Sequence, residues 1–146
     1  IEKNCFIFYT NYESRKGSEL QQNQQVALVF FWKELQRQIR IEGIATKIAE
    51  EQSTNYFHSR PIESQLGAWA SAQSTILESR EDLEAQFTFL EKKYVGMQIP
   101  KPPHWGGYAI QPTSIEFWQG RTNRLHDRFV YRLQENKSWK IERLYP

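Results

Sequence analysis

Strand-length apolar blocks occupy both ends of this chain, and apolar residues recur at helical spacing only in its middle. That order excludes an alternating βαβ sheet and predicts a mainly β fold with helices attached, an antiparallel barrel of strands interrupted by a helical cluster. The opening block, Cys5 to Tyr12, is aromatic and β-branched and reads as a strand ending in a polar turn, Glu13 to Gly17. Val26 to Trp32 is a continuous apolar run, as in a strand buried on both faces. Ile39 and Ile41 alternate with Gln38, Arg40 and Glu42, and the apolar phase then shifts at Gly43 to reach Ile44, which predicts a β-bulge.

The helical middle has its own punctuation. Ala49 to Ser59 reads as a short helix, and Pro61 opens a second that runs towards Ser74. A third is started by Ser79 and Asp82, a capping-box-like pair, and carries Leu83, Phe87, Leu90 and Tyr94 on one face. Ile99 to Gly107, with three prolines and a glycine pair, is expected to be irregular. Strands follow around Tyr108 to Gln111, Ser114 to Gln119 and Asp127 to Leu133, the last turning at Gln134 to Lys137 into Trp139 to Leu144. No internal repeat or linker divides residues 1–146, so a single domain is expected.

Composition narrows the partners. The 19 basic residues are interleaved with 17 acidic ones, giving a net charge of +2, which suits small anionic ligands better than a nucleic-acid stripe. Five Trp, seven Tyr and nine Phe suit a β-rich core or a flat ligand. Cys5 is the one cysteine, which leaves no intrachain disulfide or cysteine-based zinc site and fits a reducing cytoplasm. No apolar run approaches the ~20 residues that span a membrane. The scattered His58, His104 and His126 have no metal-ligand spacing, so no metal is expected. The chain opens on Ile1, almost directly before a strand, and an upstream segment is expected to precede it.

Three groups of residues are candidates for chemistry. Ser14, Arg15, Lys16 and Gly17 follow a strand and suit either a phosphate or a solvated turn. Tyr56, Arg60 and Ser64 straddle the proline-marked helix junction. There a helix N-terminus favours an anion; the competing reading is a capping Ser with Arg60 paired to Glu63 or another carboxylate. Arg124, His126 and Arg128, if extended, share one strand face, as a ligand site or as part of a surface ion-pair network. Trp118 and Glu116 lie on the face opposite Ile115 and Phe117, the latter face being the expected core. No GxGxxG, P-loop, GxSxG or HExxH occurs.

The strings FYTNYESRKG (Phe8 to Gly17), RQIRIEG (Arg37 to Gly43), YFHSRP (Tyr56 to Pro61), SQLGAWASAQS (Ser64 to Ser74), WGGY (Trp105 to Tyr108), FWQGRTNRLHDRF (Phe117 to Phe129) and the closing WKIERLYP closely resemble the pyridoxine 5′-phosphate oxidase family, in order and over essentially the whole chain. The resemblance implies an FMN-binding split barrel working as a homodimer, with flavin in clefts between subunits. It implies FMN contacts at Tyr9, Thr10, Arg15, Lys16, Gln38, Gln73, Ser74, Trp118 and Arg128. It also implies substrate contacts at Tyr56, Arg60, Ser64, Arg124 and His126, the last two covering and positioning the pyridine ring as catalytic residues. The implied reaction moves a hydride from the 4′ carbon of pyridoxine or pyridoxamine 5′-phosphate to FMN, with oxygen as the final acceptor, yielding pyridoxal 5′-phosphate and hydrogen peroxide.

The sequence departs from the family pattern at Gln24, where proline is frequent, and at Ile62, where a basic residue is common. The family's Arg…Lys segment, which contributes to flavin and substrate phosphate binding, would lie before the first strand and is not in this sequence. The rival reading is a non-catalytic flavin- or pyridoxal-phosphate-binding protein on the same barrel, since a fold alone does not fix activity. A flavin reductase of the wider split-barrel group leaves Tyr56, Arg60 and Ser64 unexplained.

Overall fold

The computed structural model describes residues 4–146, so the reading of Ile1 falls outside it. The chain folds into two compact units. The first comprises Gln24–Thr46 and Ile110–Pro146, and it is almost entirely sheet. The sheet strands are β2 (Gln25–Trp32), β3 (Arg37–Lys47), β4 (Trp105–Gln119, in this unit from Ile110 on), β5 (Asp127–Leu133) and β6 (Trp139–Arg143), hydrogen-bonded in that order. β2 and β3 are antiparallel, with Val26 opposite Gly43 and Trp32 opposite Arg37; β4 and β5 pair Glu116 with Val130 and Trp118 with Arg128. Ile41, Ala45, Ile110 and Val130 form the buried core of this unit.

Three expectations about these strands need correction. The pairing of β2 with β3 runs one-to-one through Gly43, so there is no bulge between them. Gly43 is required for closeness: a Cβ there would overlap the carbonyl oxygen of Gln111. Ile39, Gly43 and Ala45 keep one phase, with Ile44 on the other, exposed face. β2 is not buried on both faces in the single chain, since Val29 and Phe31 are 61% and 58% exposed. On β4 the faces are exchanged: Glu116 is buried and Phe117 is exposed, because the inward carboxylate is answered by arginine.

The second unit comprises Ile7–Asn23 and Lys47–Ala109. It holds β1 (Phe6–Asn11, which pairs with β4) and the helices α1 (Arg15–Gln22), α2 (Glu50–Ser59), α3 (Ile62–Ala70) and α4 (Arg80–Lys93). Of the expected turn at Glu13 to Gly17, Glu13 is in a turn and Ser14 precedes α1, whereas Arg15 to Gly17 are its first residues. Ser14 caps it, donating to Asn11 O at 2.7 Å and accepting from Gly17 N at 3.2 Å. α3 ends at Ala70, short of Ser74, which has a positive φ of 75° in the following turn.

α4 starts where the capping pair predicts, Ser79 accepting from the Asp82 backbone at 3.1 Å. Its Phe87 and Leu90, with the C-capping Tyr94, pack on a core of Phe57, Leu66, Ile99 and Trp105. The proline-rich segment is irregular only to His104, because Trp105 already belongs to β4. It is pinned by Lys101, whose nearly buried ammonium donates to Pro102 O and Trp105 O and pairs with Glu50 at 2.9 Å. That arrangement fixes Trp105, on which the site in this unit is built. No helix among the described residues is long and apolar enough to cross a membrane.

Candidate functional site

In the second unit, the residues before and after the α1 cap converge. Lys16 Nζ donates to Thr10 Oγ1 at 2.6 Å and reaches Gln73 Oε1 at 3.5 Å. Gln73 Oε1 also accepts from Thr10 Oγ1 at 3.1 Å and from Asn11 N at 3.3 Å. Thr10, Lys16 and Gln73 therefore form one cluster, drawn together by the strand-to-helix turn and by the turn after α3. Arg15 is not bonded into this cluster; it pairs with Glu19 at 2.9 Å, with most of its side chain exposed. Ser74 lies next to Gln73 in its left-handed turn.

Tyr9 is the link to the helix junction. Its ring stacks on Tyr56 with centroids 3.7 Å apart and on Trp105 at 5.4 Å. Arg60 lies over the same Trp105, 4.8 Å from the ring centre. Its backbone carbonyl accepts from Gln65 Nε2 at 2.8 Å, which locks the turn between α2 and α3. Arg60 makes no ion pair among the described residues, and its Nη1 is buried without a hydrogen-bond partner. Burial pushes this guanidinium below its ordinary range. The Arg60–Glu63 pair left open by the sequence is therefore not formed. Ser64 is in the first turn of α3, whose N-cap Pro61 offers no side chain to the free N–H groups. An orphaned guanidinium N–H beside an uncapped helix start is a site for an anion.

The first unit gathers a second set. A cavity of about 540 Å³ is lined by Trp32, Leu35, Gln38, Trp118, Arg121 and Asp127, among others. Trp118 also meets the His126 ring at 4.7 Å. His126 Nδ1 accepts from Arg121 N at 3.1 Å, so in the neutral ring the proton sits on Nε2, the other nitrogen. Arg128 makes a two-point bond to Glu116, Nε to Oε1 at 2.9 Å and Nη2 to Oε2 at 3.1 Å. This holds the Glu116 carboxyl below its usual range.

The expectation that Arg124, His126 and Arg128 share one extended face fails. Thr122 to Arg124 form a single 3-10 turn, and Asn123 and Arg124 have positive φ values of 57° and 61°. β5 begins only at Asp127, so Arg124 projects from a turn and is exposed. Of the three, Arg128 is ion-paired, with Glu116 at 2.9 Å, while the neighbouring pairs Arg121–Asp127 at 2.8 Å and Arg143–Asp127 at 3.4 Å include none of them. Two structural participants escaped the sequence reading: Trp105 as the platform under Arg60, and Arg121 as the backbone donor to His126. Neither is signalled by its residue type: Trp105 acts on Arg60, brought to it by folding, and Arg121 acts through its backbone N–H within one turn.

Residues 2–96 match the family model described as pyridoxamine 5′-phosphate oxidase, and residues 105–146 match the pyridoxine 5′-phosphate oxidase C-terminal dimerisation region. The chain is 57% identical to the pyridoxine/pyridoxamine 5′-phosphate oxidase of Microcystis aeruginosa, over 97% of this chain and 66% of that protein. It is 55% identical to the one of Gloeothece citriformis, over 100% of this chain and 68% of that protein. It thus spans about two thirds of the length of these relatives. Among solved structures it is similar to PhzG from Burkholderia lata, in complex with tetrahydrophenazine-1-carboxylic acid. That match has a TM-score of 0.92 at 34% identity, over 100% of this chain and 71% of that one. A pyridoxamine 5′-phosphate oxidase-related, FMN binding protein from Nostoc punctiforme shares the fold, with a TM-score of 0.76 at 16% identity, over 100% and 76% of the two chains. The expected split barrel is the fold class of these neighbours and of this chain. By sequence and fold together, the chain belongs to the pyridoxamine 5′-phosphate oxidase family.

Proposed function

We propose that this chain is the main part of an FMN-dependent oxidase that converts pyridoxine or pyridoxamine 5′-phosphate to pyridoxal 5′-phosphate, with oxygen as acceptor. The observation that carries the reading is Arg60: a buried guanidinium N–H with no protein partner, beside an uncapped helix start and Tyr56, is what a substrate phosphate requires. Tyr56, Arg60 and Ser64 anchor that phosphate, which makes the reaction of the ring effectively intramolecular. Tyr9, Thr10, Arg15, Lys16, Gln38, Gln73, Ser74, Trp118 and Arg128 hold FMN. The Thr10–Lys16–Gln73 cluster supports this set, since one ammonium beside two polar side chains suits a flavin phosphate. FMN, when bound, supplies the two-electron acceptor. Arg124 covers the substrate ring and His126 positions it, with Nε2–H available to a polar substituent.

A homodimer with flavin at the subunit interface is part of the proposal. The exposed apolar residues of β2 and the match to the dimerisation region support it.

The test is reconstitution with FMN followed by anaerobic addition of pyridoxamine 5′-phosphate. Bleaching of the flavin band and its return in air are expected. A bound flavin that never bleaches would favour the non-catalytic reading. Arg124→Ala is expected to lower turnover about tenfold or more while leaving the FMN dissociation constant unchanged, because it touches substrate only. Normal turnover in that variant would remove Arg124 from the reaction.

A further inference from the structure

We infer that Glu116 is a positioning residue for cofactor binding, acting through Arg128; the inference rests on the proposed flavin site. Nothing in the sequence reading or the family match gives this carboxylate a role. Its placement is unusual: Glu116 is 7% exposed in the interior of a β-strand, where an ionised group is tolerated only when answered in full. The answer is Arg128, bound at both carboxylate oxygens at 2.9 and 3.1 Å, with Arg40 a further 3.6 Å from Oε2.

Counting donors shows what the arrangement does. Arg128 has five N–H groups. Two are taken by Glu116, and one on Nη1 goes to Tyr145 O at 3.0 Å. One N–H on each Nη is left, and the guanidinium is held by three hydrogen bonds to two partners. An arginine with many rotamers is thereby reduced to a rigid fork with two donors to spare, which lowers the ordering cost when an anionic or carbonyl-bearing ligand binds. Trp118 is the register partner of Arg128 and lines the cavity in this unit, so Arg128 lies one strand across from a residue of that cavity. A carboxylate serving only the fold would be replaceable by packing; one serving Arg128 is not.

The experiment titrates apo-protein with FMN, following flavin fluorescence, for wild type, Glu116→Gln, Glu116→Asp, Arg128→Ala and the double variant Glu116→Gln/Arg128→Ala. Glu116→Gln is expected to weaken FMN binding about tenfold, the size of one lost charge-assisted bond. Glu116→Asp should recover part of that loss, and the double variant should bind no worse than Arg128→Ala alone. In the free wild-type protein, the Arg128 Nε–H resonance should be protected from solvent exchange, a readout independent of flavin and of any variant's folding. Unchanged affinity in Glu116→Gln, additive losses in the double variant, or an unprotected Nε–H each overturns the inference. Wild type that takes up no FMN overturns the flavin reading itself, and this role with it.

Discussion

Replacing Arg60 with methionine is expected to raise KM for pyridoxamine 5′-phosphate by one to two orders of magnitude while costing the free protein no stability. The two halves have separate causes. A charge-assisted bond between guanidinium and phosphate contributes about 1.5–3 kcal/mol, or roughly ten- to hundredfold in affinity. In the free protein Arg60 Nη1 is buried without a partner, and burial already works against the charge. An unmet buried donor costs ~1–3 kcal/mol. What stabilises the side chain is its position over Trp105 at 4.8 Å, a contact of about 0.5–2 kcal/mol. Methionine retains contact with the ring and removes the unmet donor, so the balance tips towards equal or greater stability. Steady-state kinetics and urea unfolding check the two halves independently. A variant that loses more than about 1 kcal/mol of stability and keeps its KM would make Arg60 structural.

Arg60 also shows how far a site can be read before folding. A proline-marked junction with Tyr56, Arg60 and Ser64 is visible as a set of anion-binding residue types. Whether Arg60 pairs with Glu63 is not, because that depends on where α3 starts and on the ring beneath the guanidinium. Trp105, 45 positions along the chain, decides the matter. The same holds for Thr10, Lys16 and Gln73, which converge only because β1, α1 and the turn after α3 meet. Glu116 shows a related limit. Period-two alternation gives two faces and not which is interior, and the apolar face of Ile115 and Phe117 was the natural choice. The buried pair with Arg128 reverses it.

Elements with local signals were legible. α4 carries its cap and its apolar stripe within its own residues, and β5 runs over Asp127–Leu133 as its sequence implies. Segments whose conformation depends on distant contacts were not. Thr122 to Arg124 reads as extended but adopts a 3-10 turn with two left-handed residues. Ser14 to Gly17 has turn-like composition, yet Ser14 is a helix cap and Gly17 lies inside α1. In sequence such a glycine signals a turn.

Gly17 therefore carries the second large effect: Gly17→Ala is expected to destabilise the protein by about 2–3 kcal/mol or more and to abolish FMN uptake. Helix propensity alone argues the opposite sign, because alanine is favoured over glycine in a helix by ~1 kcal/mol. The neighbours decide between them. A Cβ at Gly17 would overlap the carbonyl oxygen of Tyr12 and come within 2.9 Å of its Cα, and backbone cannot step aside as a flexible side chain can. Relief requires α1 to shift away from β1, which breaks the Ser14 cap and pulls Lys16 from Thr10. The control is Gly67→Ala in α3, where nothing lies within 4 Å of the added methyl and propensity acts unopposed. That variant is expected to gain about 0.5–1 kcal/mol with FMN affinity unchanged. Denaturant midpoints and flavin titration of the two variants separate the explanations: loss in one and gain in the other means close approach governs Gly17, whereas gains in both would mean that α1 can move without cost and that its contact with β1 does not hold the site.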